Sequence, residues 1–313
     1  MNIKLILYVL FFVTLANFNP CNGQSIYALS QKSLTTMNWG FNYKTEVPLD
    51  IPFYNIHQIS SISNSGFLNV ITSNSSYEIS LTQIDSATGT SQTIYSVPLD
   101  IDADQFTAVY YEPHLNYVNA LYWVTVHNGQ LQNTLQLVKI DFNNNQVQNL
   151  TTLPLGQGSF AGCYDQSINS YILVQFEGSL QLNISVYDTE DTSVPVTSNI
   201  VISPFVSNTD YVVLAAEGFV YLYATIGSSV YVYSINGSPV KAITFLYAIN
   251  PNFQDPIYNI RVAYNDATSY IYLEVLSSSQ SSMYQFELAN MRLVEVFAQT
   301  PIVLNSLYDI FVQ

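Results

Sequence analysis

The segment YVVLAAEGFVYLYATIGSSVYVYSINGS, residues 211–238, contains the pattern that decides the fold. It opens with a short apolar strand, which the turn formers Glu217-Gly218 separate from a strongly apolar second strand over 219–223. A third strand over 229–233 alternates apolar and polar residues, and Asn236-Gly237-Ser238 then marks a tight turn before a fourth strand. The continuous second strand predicts burial on both faces, whereas the alternating third strand predicts a sheet with unequal faces.

The same order of strands recurs along the chain at intervals of about 50 residues. First strands are predicted to begin near Tyr54, Phe106, Phe160, Tyr211, Tyr258 and Leu307. Four antiparallel strands in each repeat, with the central strands the most apolar, predict the blades of a β-propeller. The alternative is a large β-sandwich or a pair of sandwiches, which also have short strands and regular turns. Because a sandwich gives no reason for the whole four-strand order to repeat, the pattern favours the propeller.

The strands of a sixth blade are predicted to come from the two ends of the chain. Five full blades cover residues 51–300, and the last one would combine an inner strand from 306–312 with outer strands from 25–47. Such a composite blade removes the last open sheet edge. Residues 283–299 are compatible with an amphipathic helix, but their place in the fifth repeat predicts two strands. We therefore expect an all-β chain with one domain over 24–313 and six four-stranded blades.

The repeat and the strand order resemble the six-bladed β-propeller superfamily in general. Trp-Asp repeat ends and kelch double glycines are absent from the sequence, so no narrower family's functional residues are carried over. In such a fold the loop that enters each innermost strand lies at the mouth of the central channel.

Four acidic residues belong to those loops in the predicted register: Asp104, Asp210, Asp255 and Asp309. Oxygen ligands that converge on one axis are what Ca²⁺ requires. Six-bladed lactonases and related esterases use a similar axial ring of Asp, Glu and Asn around a metal. The sequence thus yields the hypothesis of an axial calcium site. The alternative is that Asp and Asn are ordinary loop residues in an acidic protein.

Residues 1–23 have the form of a secretory signal peptide. Lys4 precedes an apolar run over 5–16 that is too short for a membrane anchor, and the small residues Cys21 and Gly23 favour cleavage before Gln24. The alternative is a buried N-terminal strand. No later stretch approaches eighteen uninterrupted apolar residues, so we expect no membrane span. The predicted location is extracellular or within the lumen of the secretory pathway.

Cys163 has no intrachain partner if Cys21 leaves with the signal peptide. Its small neighbours predict a buried thiol, with a Cys21–Cys163 disulfide or a catalytic thiol as alternatives. The secretory route also predicts a glycoprotein. Its acceptor sites are Asn74, Asn149, Asn183 and Asn236, each followed two residues later by Ser or Thr.

The composition excludes several classes of function. Only 7 basic residues stand against 22 acidic ones, for a net charge of −15, so the chain cannot build a basic face for nucleic acid. With 49% hydrophobic and 9% charged residues it is also unlike a disordered protein. His57, His114 and His127 are scattered and make a weak case for zinc.

Two functions remain open. The first is a secreted, monomeric recognition or adhesion module that binds a protein or glycan through loops on a rigid disc. The alternative is a secreted, calcium-dependent hydrolase of the lactonase or esterase type. Because no axial acid lies beside a general base in the sequence, we favour the binding module over an enzyme.

Overall fold

The structure, a computed structural model, consists of β-strands joined by turns and loops. It describes residues 25–38, 44–51, 53, 56–60, 66–74, 78–98, 102–112, 116–127, 130–154, 160–177, 181–188, 196–201, 211–236, 242–265, 268–301 and 307–312. Within these ranges there is no helix that is long and apolar enough to cross a membrane.

Twenty-four strands form six sheets of four, which we number as blades I to VI. Blade I contains β4 (Ile56–Ser60), β5 (Phe67–Asn74), β6 (Glu78–Asp85) and β7 (Ser91–Pro98), and blade II contains β8 (Asp102–Glu112), β9 (Tyr117–His127), β10 (Gln130–Asp141) and β11 (Gln146–Pro154). Blade III contains β12 (Phe160–Asp165), β13 (Ser170–Glu177), β14 (Gln181–Asp188) and β15 (Val196–Val201), and blade IV contains β16 (Tyr211–Ala216), β17 (Phe219–Ile226), β18 (Ser229–Asn236) and β19 (Ala242–Ile249). Blade V contains β20 (Ile257–Asn265), β21 (Tyr270–Ser277), β22 (Gln280–Glu287) and β23 (Leu293–Pro301), and blade VI contains β24 (Leu307–Val312), β1 (Ser25–Ser30), β2 (Ser33–Asn38) and β3 (Lys44–Pro48).

The six innermost strands contact one another in a closed ring, in the order β24, β4, β8, β12, β16, β20 and back to β24. Every hydrogen-bonded pair of strands within a blade is antiparallel. The chain is therefore a six-bladed β-propeller, and the predicted fold class is confirmed.

The composite blade is confirmed as well. The C-terminal strand β24 pairs with β1 near the N-terminus, from Ile26 opposite Val312 to Ser30 opposite Leu307. The segment that was expected to hold outer strands contains three of them, β1, β2 and β3, so blade VI has its full four strands. Joining the two ends in one sheet closes the ring without a covalent bond.

Burial follows the predicted patterns. In β17 every residue from Val220 to Thr225 is buried, and in β18 buried and less buried residues partly alternate. The ambiguous stretch over 283–299 forms the end of β22 and most of β23, separated by a turn at 288–290, so its interpretation as two strands is correct.

Neighbouring blades are joined by tyrosine hydroxyls as well as by apolar packing. Tyr171 in blade III donates to the backbone carbonyl of Ala108 in blade II. A Cβ atom at Gly162 would overlap the hydroxyl of Tyr171, so this link requires glycine there. Between blades IV and V, Tyr221 donates to the carbonyl of Leu288 at 2.7 Å. Each such bond pairs a hydroxyl that would otherwise be buried without a partner.

Candidate functional site

Three of the four predicted calcium ligands, Asp104, Asp255 and Asp309, lie in the described part of the backbone. Asp255 lies in the loop ahead of β20, and its carboxylate accepts a hydrogen bond from the hydroxyl of Ser279. Bonds from Ser279 and Ser278 hold the pKa of Asp255 below its usual value. Asp104 and Asp309 belong to the strands β8 and β24 instead of the loops in which we expected them. Strand β8 starts at Asp102, ahead of the predicted start, because pairing with β9 extends it through several bulges.

The side chains of Asp104 and Asp309 and the whole of Asp210 lie outside what the structure describes. Among the described side chains, no group of three or more His, Cys, Asp and Glu residues could hold a metal ion. The four-acid calcium site therefore stays a prediction.

The channel-mouth face of the disc, where the chain enters each innermost strand, carries a repeated β-bulge. The pairing register skips His57 in β4, Tyr258 in β20 and Tyr308 in β24. Each of them is the second residue of its strand and stands between an apolar and a polar residue. A bulge redirects the side chain of the unpaired residue, and Tyr258 is 45% exposed. Aligning the blades at Ile56, Ile257 and Leu307 would have revealed this repeat in the sequence.

His57 forms a hydrogen bond at this face. Its Nε2 atom lies 2.9 Å from the Oγ atom of Ser73. Burial lowers the pKa of His57 to about 4, so the imidazole is neutral at physiological pH. This histidine is satisfied by a neighbour, as the sequence analysis expected, whereas His114 and the side chain of His127 lie outside the described residues.

Cys163 is fully buried in the core between blades III and IV. Burial raises the pKa of its thiol well above the usual value. A nucleophilic cysteine needs the opposite shift and access to solvent. The prediction of a buried thiol is confirmed, and Cys21 lies outside the described residues.

The opposite face of the disc, which we call the hairpin face, carries the turns between first and second strands and between third and fourth strands. Adjacent blades meet there: Tyr264 of blade V donates to the carboxylate of Glu217 in blade IV, and Gln166 of blade III donates to Glu112 of blade II at 2.6 Å. These contacts hold neighbouring turns in fixed positions. The described turns of blades II and III, and those of blades IV and V, are therefore linked to one another.

An aromatic residue begins the second strand in four of the six blades: Phe67, Tyr117, Phe219 and Tyr270. Phe67 is 43% exposed and Phe219 is 38% exposed, while the rings of Tyr117 and Tyr270 are partly buried. Blades I and IV lie opposite each other in the ring, so the two exposed phenylalanines stand on opposite sides of the axis.

An acidic residue lies directly across the strand pair from three of these rings. Phe67 is paired with Asp85, Tyr117 with Asp141, and Tyr270 with Glu287. We call these the aromatic–acid pairs. Two of the carboxylates also cap the adjacent turn: Oδ1 of Asp85 accepts from the backbone N–H groups of Ala87 and Thr88, at 2.8 and 3.2 Å, and Asp141 makes the same kind of turn.

Sequence reasoning missed the aromatic–acid pairs, because it treated each strand separately. Two of them contact a basic side chain of the chain itself. The Nζ atom of Lys139 lies 4.0 Å from the ring centroid of Tyr117, and Nε of Arg292 lies 3.2 Å from Oε2 of Glu287.

The predicted glycosylation sites differ in accessibility. Asn149 on β11 and Asn236 at the end of β18 are exposed, whereas Asn183 in the middle of β14 is only partly so. The side chain of Asn74 lies outside the described residues. All four sites stay predictions.

Neither the comparison with protein-family models nor that with curated proteins finds a match. Among solved structures, the chain is similar to TolB from Acinetobacter baumannii, with a TM-score of 0.57, 12% identity, and 97% of this chain and 69% of that chain covered. It is also similar to a chain of a nidogen/laminin complex, with a TM-score of 0.56, 9% identity and coverage of 93% and 98%. A periplasmic gluconolactonase from Pseudomonas aeruginosa aligns with a TM-score of 0.57, 11% identity and coverage of 90% and 83%. At such identities the likeness concerns the fold alone: the chain belongs among the six-bladed β-propellers.

Proposed function

We propose that this protein is a recognition module that binds an extracellular macromolecule through its hairpin face. The observation that carries the proposal is the placement of exposed aromatic rings at equivalent positions on one face of the propeller. Aromatic residues dominate the energetics of protein interfaces because they bury a large area with few rotatable bonds. The exposed parts of the Phe67 and Phe219 rings are apolar surface, and its burial by a ligand would be favourable.

The alternative, a calcium-dependent hydrolase, would use the channel-mouth face. It depends on Asp104, Asp210, Asp255 and Asp309, and only Asp255 has a described side chain, whose carboxylate is bonded to Ser279. The similar gluconolactonase supports a shared fold and not a shared site. The observation that favours binding is the partial exposure of the Phe67 and Phe219 rings.

We further propose that the protein reaches its ligand by secretion, after removal of residues 1–23. The expected secreted product begins at Gln24 and carries glycans on exposed sequons such as Asn236. Intact-mass and N-terminal peptide measurements on protein from the culture medium, before and after enzymatic removal of N-glycans, check both points. A product that retains residues 1–23, or that remains inside the cell, contradicts the proposal.

Binding is tested with the full secreted protein on an array of extracellular matrix proteins and glycans. For a ligand found there, Phe67→Ala and Phe219→Ala should each weaken binding at least about fivefold, because truncating an energetically important interface residue costs more than about 1 kcal/mol. The matched control is Phe245→Ala, because Phe245 is 49% exposed but lies on the outer strand β19. Equal affinities for all three variants and the unaltered protein would exclude the hairpin face as the binding surface.

A further inference from the structure

The outer strand of blade II begins in a segment that is rich in amide side chains. Residues 143–149 read NNNQVQN, so six of the seven side chains are amides and none is charged. All seven residues are exposed, and β11, which begins at Gln146, is the outermost strand of its sheet. The preceding acid, Asp141, is held in the turn, where its Oδ1 atom accepts from the backbone N–H groups of Asn143 and Asn144 at 2.8 and 3.1 Å. An exposed, uncharged outer strand of this composition is a template for pairing with another strand.

The amide composition favours a second copy of the same segment as the partner. An amide side chain both donates and accepts hydrogen bonds, so identical Asn and Gln side chains can bond to one another. An antiparallel pair centred on Val147 would set Val147 against its copy, Gln146 against Gln148, and Asn145 against Asn149. Partners across an antiparallel pair share a face, so valine would meet valine and amide would meet amide. Because this two-fold pairing uses the edge of both copies, association stops at the dimer.

The same segment carries one of the predicted glycosylation sites. Asn149 is the acceptor in the sequence Asn149-Leu150-Thr151, and its side chain is exposed. An N-linked glycan is bulky and strongly solvated. Attached to the Nδ2 atom of Asn149, it would occupy the space that a second copy needs in order to pair with β11.

We propose that the outer edge of blade II pairs with the same edge of a second copy, and that a glycan at Asn149 prevents this pairing in the secreted protein. The inference rests on the glycosylation proposed above and does not involve the ligand of the hairpin face. The net charge of −15 opposes the approach of two copies. Salt screens this repulsion, so pairing of the unglycosylated edges should strengthen as ionic strength rises.

The test removes the glycan from the full secreted protein with Thr151→Ala, which destroys the acceptor sequence and keeps Asn149. Thr151→Ser is the matched control, because it keeps the acceptor sequence. In sedimentation velocity, the Thr151→Ala protein should pass from monomer to dimer as its concentration rises, whereas the unaltered protein and Thr151→Ser should stay monomeric. Ser238→Ala, which removes the acceptor sequence of Asn236, should also leave the protein monomeric. Peptide mapping reports whether Asn149 carries a glycan in each sample.

A second substitution examines the edge itself. Val147→Lys, combined with Thr151→Ala, sets two like charges against each other at the centre of the pair and should return the protein to a monomer. Val294→Lys is the matched control, since Val294 is 43% exposed and Val147 is 40% exposed, and Val294 lies on the outer strand β23 of blade V. The Thr151→Ala dimer should persist when Val294→Lys is added.

A Thr151→Ala protein that stays monomeric at every concentration, or a dimer that Val147→Lys leaves intact, would overturn the pairing of the two edges. If Thr151→Ala is not secreted, unaltered secreted protein whose glycans an endoglycosidase has trimmed to the first sugar takes its place. An unmodified Asn149 in the secreted protein, or equal dimerisation with and without the glycan, would overturn the role of the glycan. In each of these cases a ligand that depends on Phe67 and Phe219 would still support the hairpin face as the binding surface, so the two proposals are judged separately.

Discussion

The two faces of the blade V sheet bury side chains of different polarity. The side that packs against blade IV is apolar and aromatic; its buried members include Ile260, Ile271, Leu273, Val275, Tyr284 and Phe286. The side that faces the composite blade VI includes buried polar groups; these are Arg261, Glu274 and Gln285, next to Tyr272 and Met283. Alternation along β20, β21 and β22 separates the two sets, because successive side chains point to opposite faces.

The polar groups on the second side are bonded to one another. Arg261 lies directly opposite Glu274, with its Nη1 atom 3.1 Å from Oε2, and Gln285 donates to the hydroxyl of Tyr272 at 3.2 Å. Burial raises the pKa of Glu274, and the nearby charge of Arg261 opposes that shift. An ion pair in this environment recovers only part of the cost of removing both charges from water.

The comparison shows that the two seams depend on different conditions. The seam between blades IV and V combines apolar packing with hydrogen bonds such as the one from Tyr221 to the carbonyl of Leu288. The seam between blades V and VI buries a charged pair and is closed by β24, which no covalent bond holds to β1. We therefore expect the seam between blades V and VI to be the less stable of the two.

The largest effect should come from removing the strand that closes the ring. Deleting residues 306–313 leaves β1 without its partner and opens the covered side of blade V to water. The loss should reach about 5 kcal/mol or more, which is comparable to the whole stability of many domains. Secretion yield and thermal unfolding check this, with deletion of Gln313 alone as the control, since it leaves β24 intact. Normal secretion with an unchanged melting temperature would show that the closing seam is dispensable.

The strand layout could be predicted from the sequence because it depends on local patterns. The continuous apolar run of β21 and the turn formers around β17 identify central strands without knowledge of their neighbours. Glu274 also carried a usable signal: a charge inside a strand that is buried on both faces requires a partner, and Arg261 in the preceding strand supplies it. The pairing of Glu274 with Arg261 can be inferred once the register of the hairpin formed by β20 and β21 is known.

The aromatic–acid pairs could not be found in the same way. The two members of each pair are 18, 24 and 17 residues apart in blades I, II and V, because strand and turn lengths differ between blades. A search at fixed spacing therefore misses them. Register across a hairpin, which turn geometry determines, is what brings them together.

Single substitutions on the two sides of blade V should have smaller effects than the deletion of residues 306–313. Glu274→Ala should cost about 3–5 kcal/mol, because it leaves the charge of Arg261 buried without its partner. Leu273→Ala, the adjacent position on the apolar side, should cost about 2–5 kcal/mol through the cavity it leaves. Denaturant unfolding of both variants measures these losses. They overlap in size, so magnitude alone cannot distinguish their causes.

A second substitution that restores stability distinguishes the two causes. Replacing both members of the ion pair, with Arg261→Met and Glu274→Leu together, removes both buried charges while keeping similar volumes. The double variant should recover the stability lost in Glu274→Ala and equal or exceed that of the unaltered protein, because neither charge then has to leave water on folding. The same double replacement added to Leu273→Ala should raise stability by no more than it does in the unaltered protein, since the cavity facing blade IV remains. A double variant as unstable as Glu274→Ala would mean that the lost stability comes from packing at position 274. Packing would then be the main source of stability on both sides of blade V.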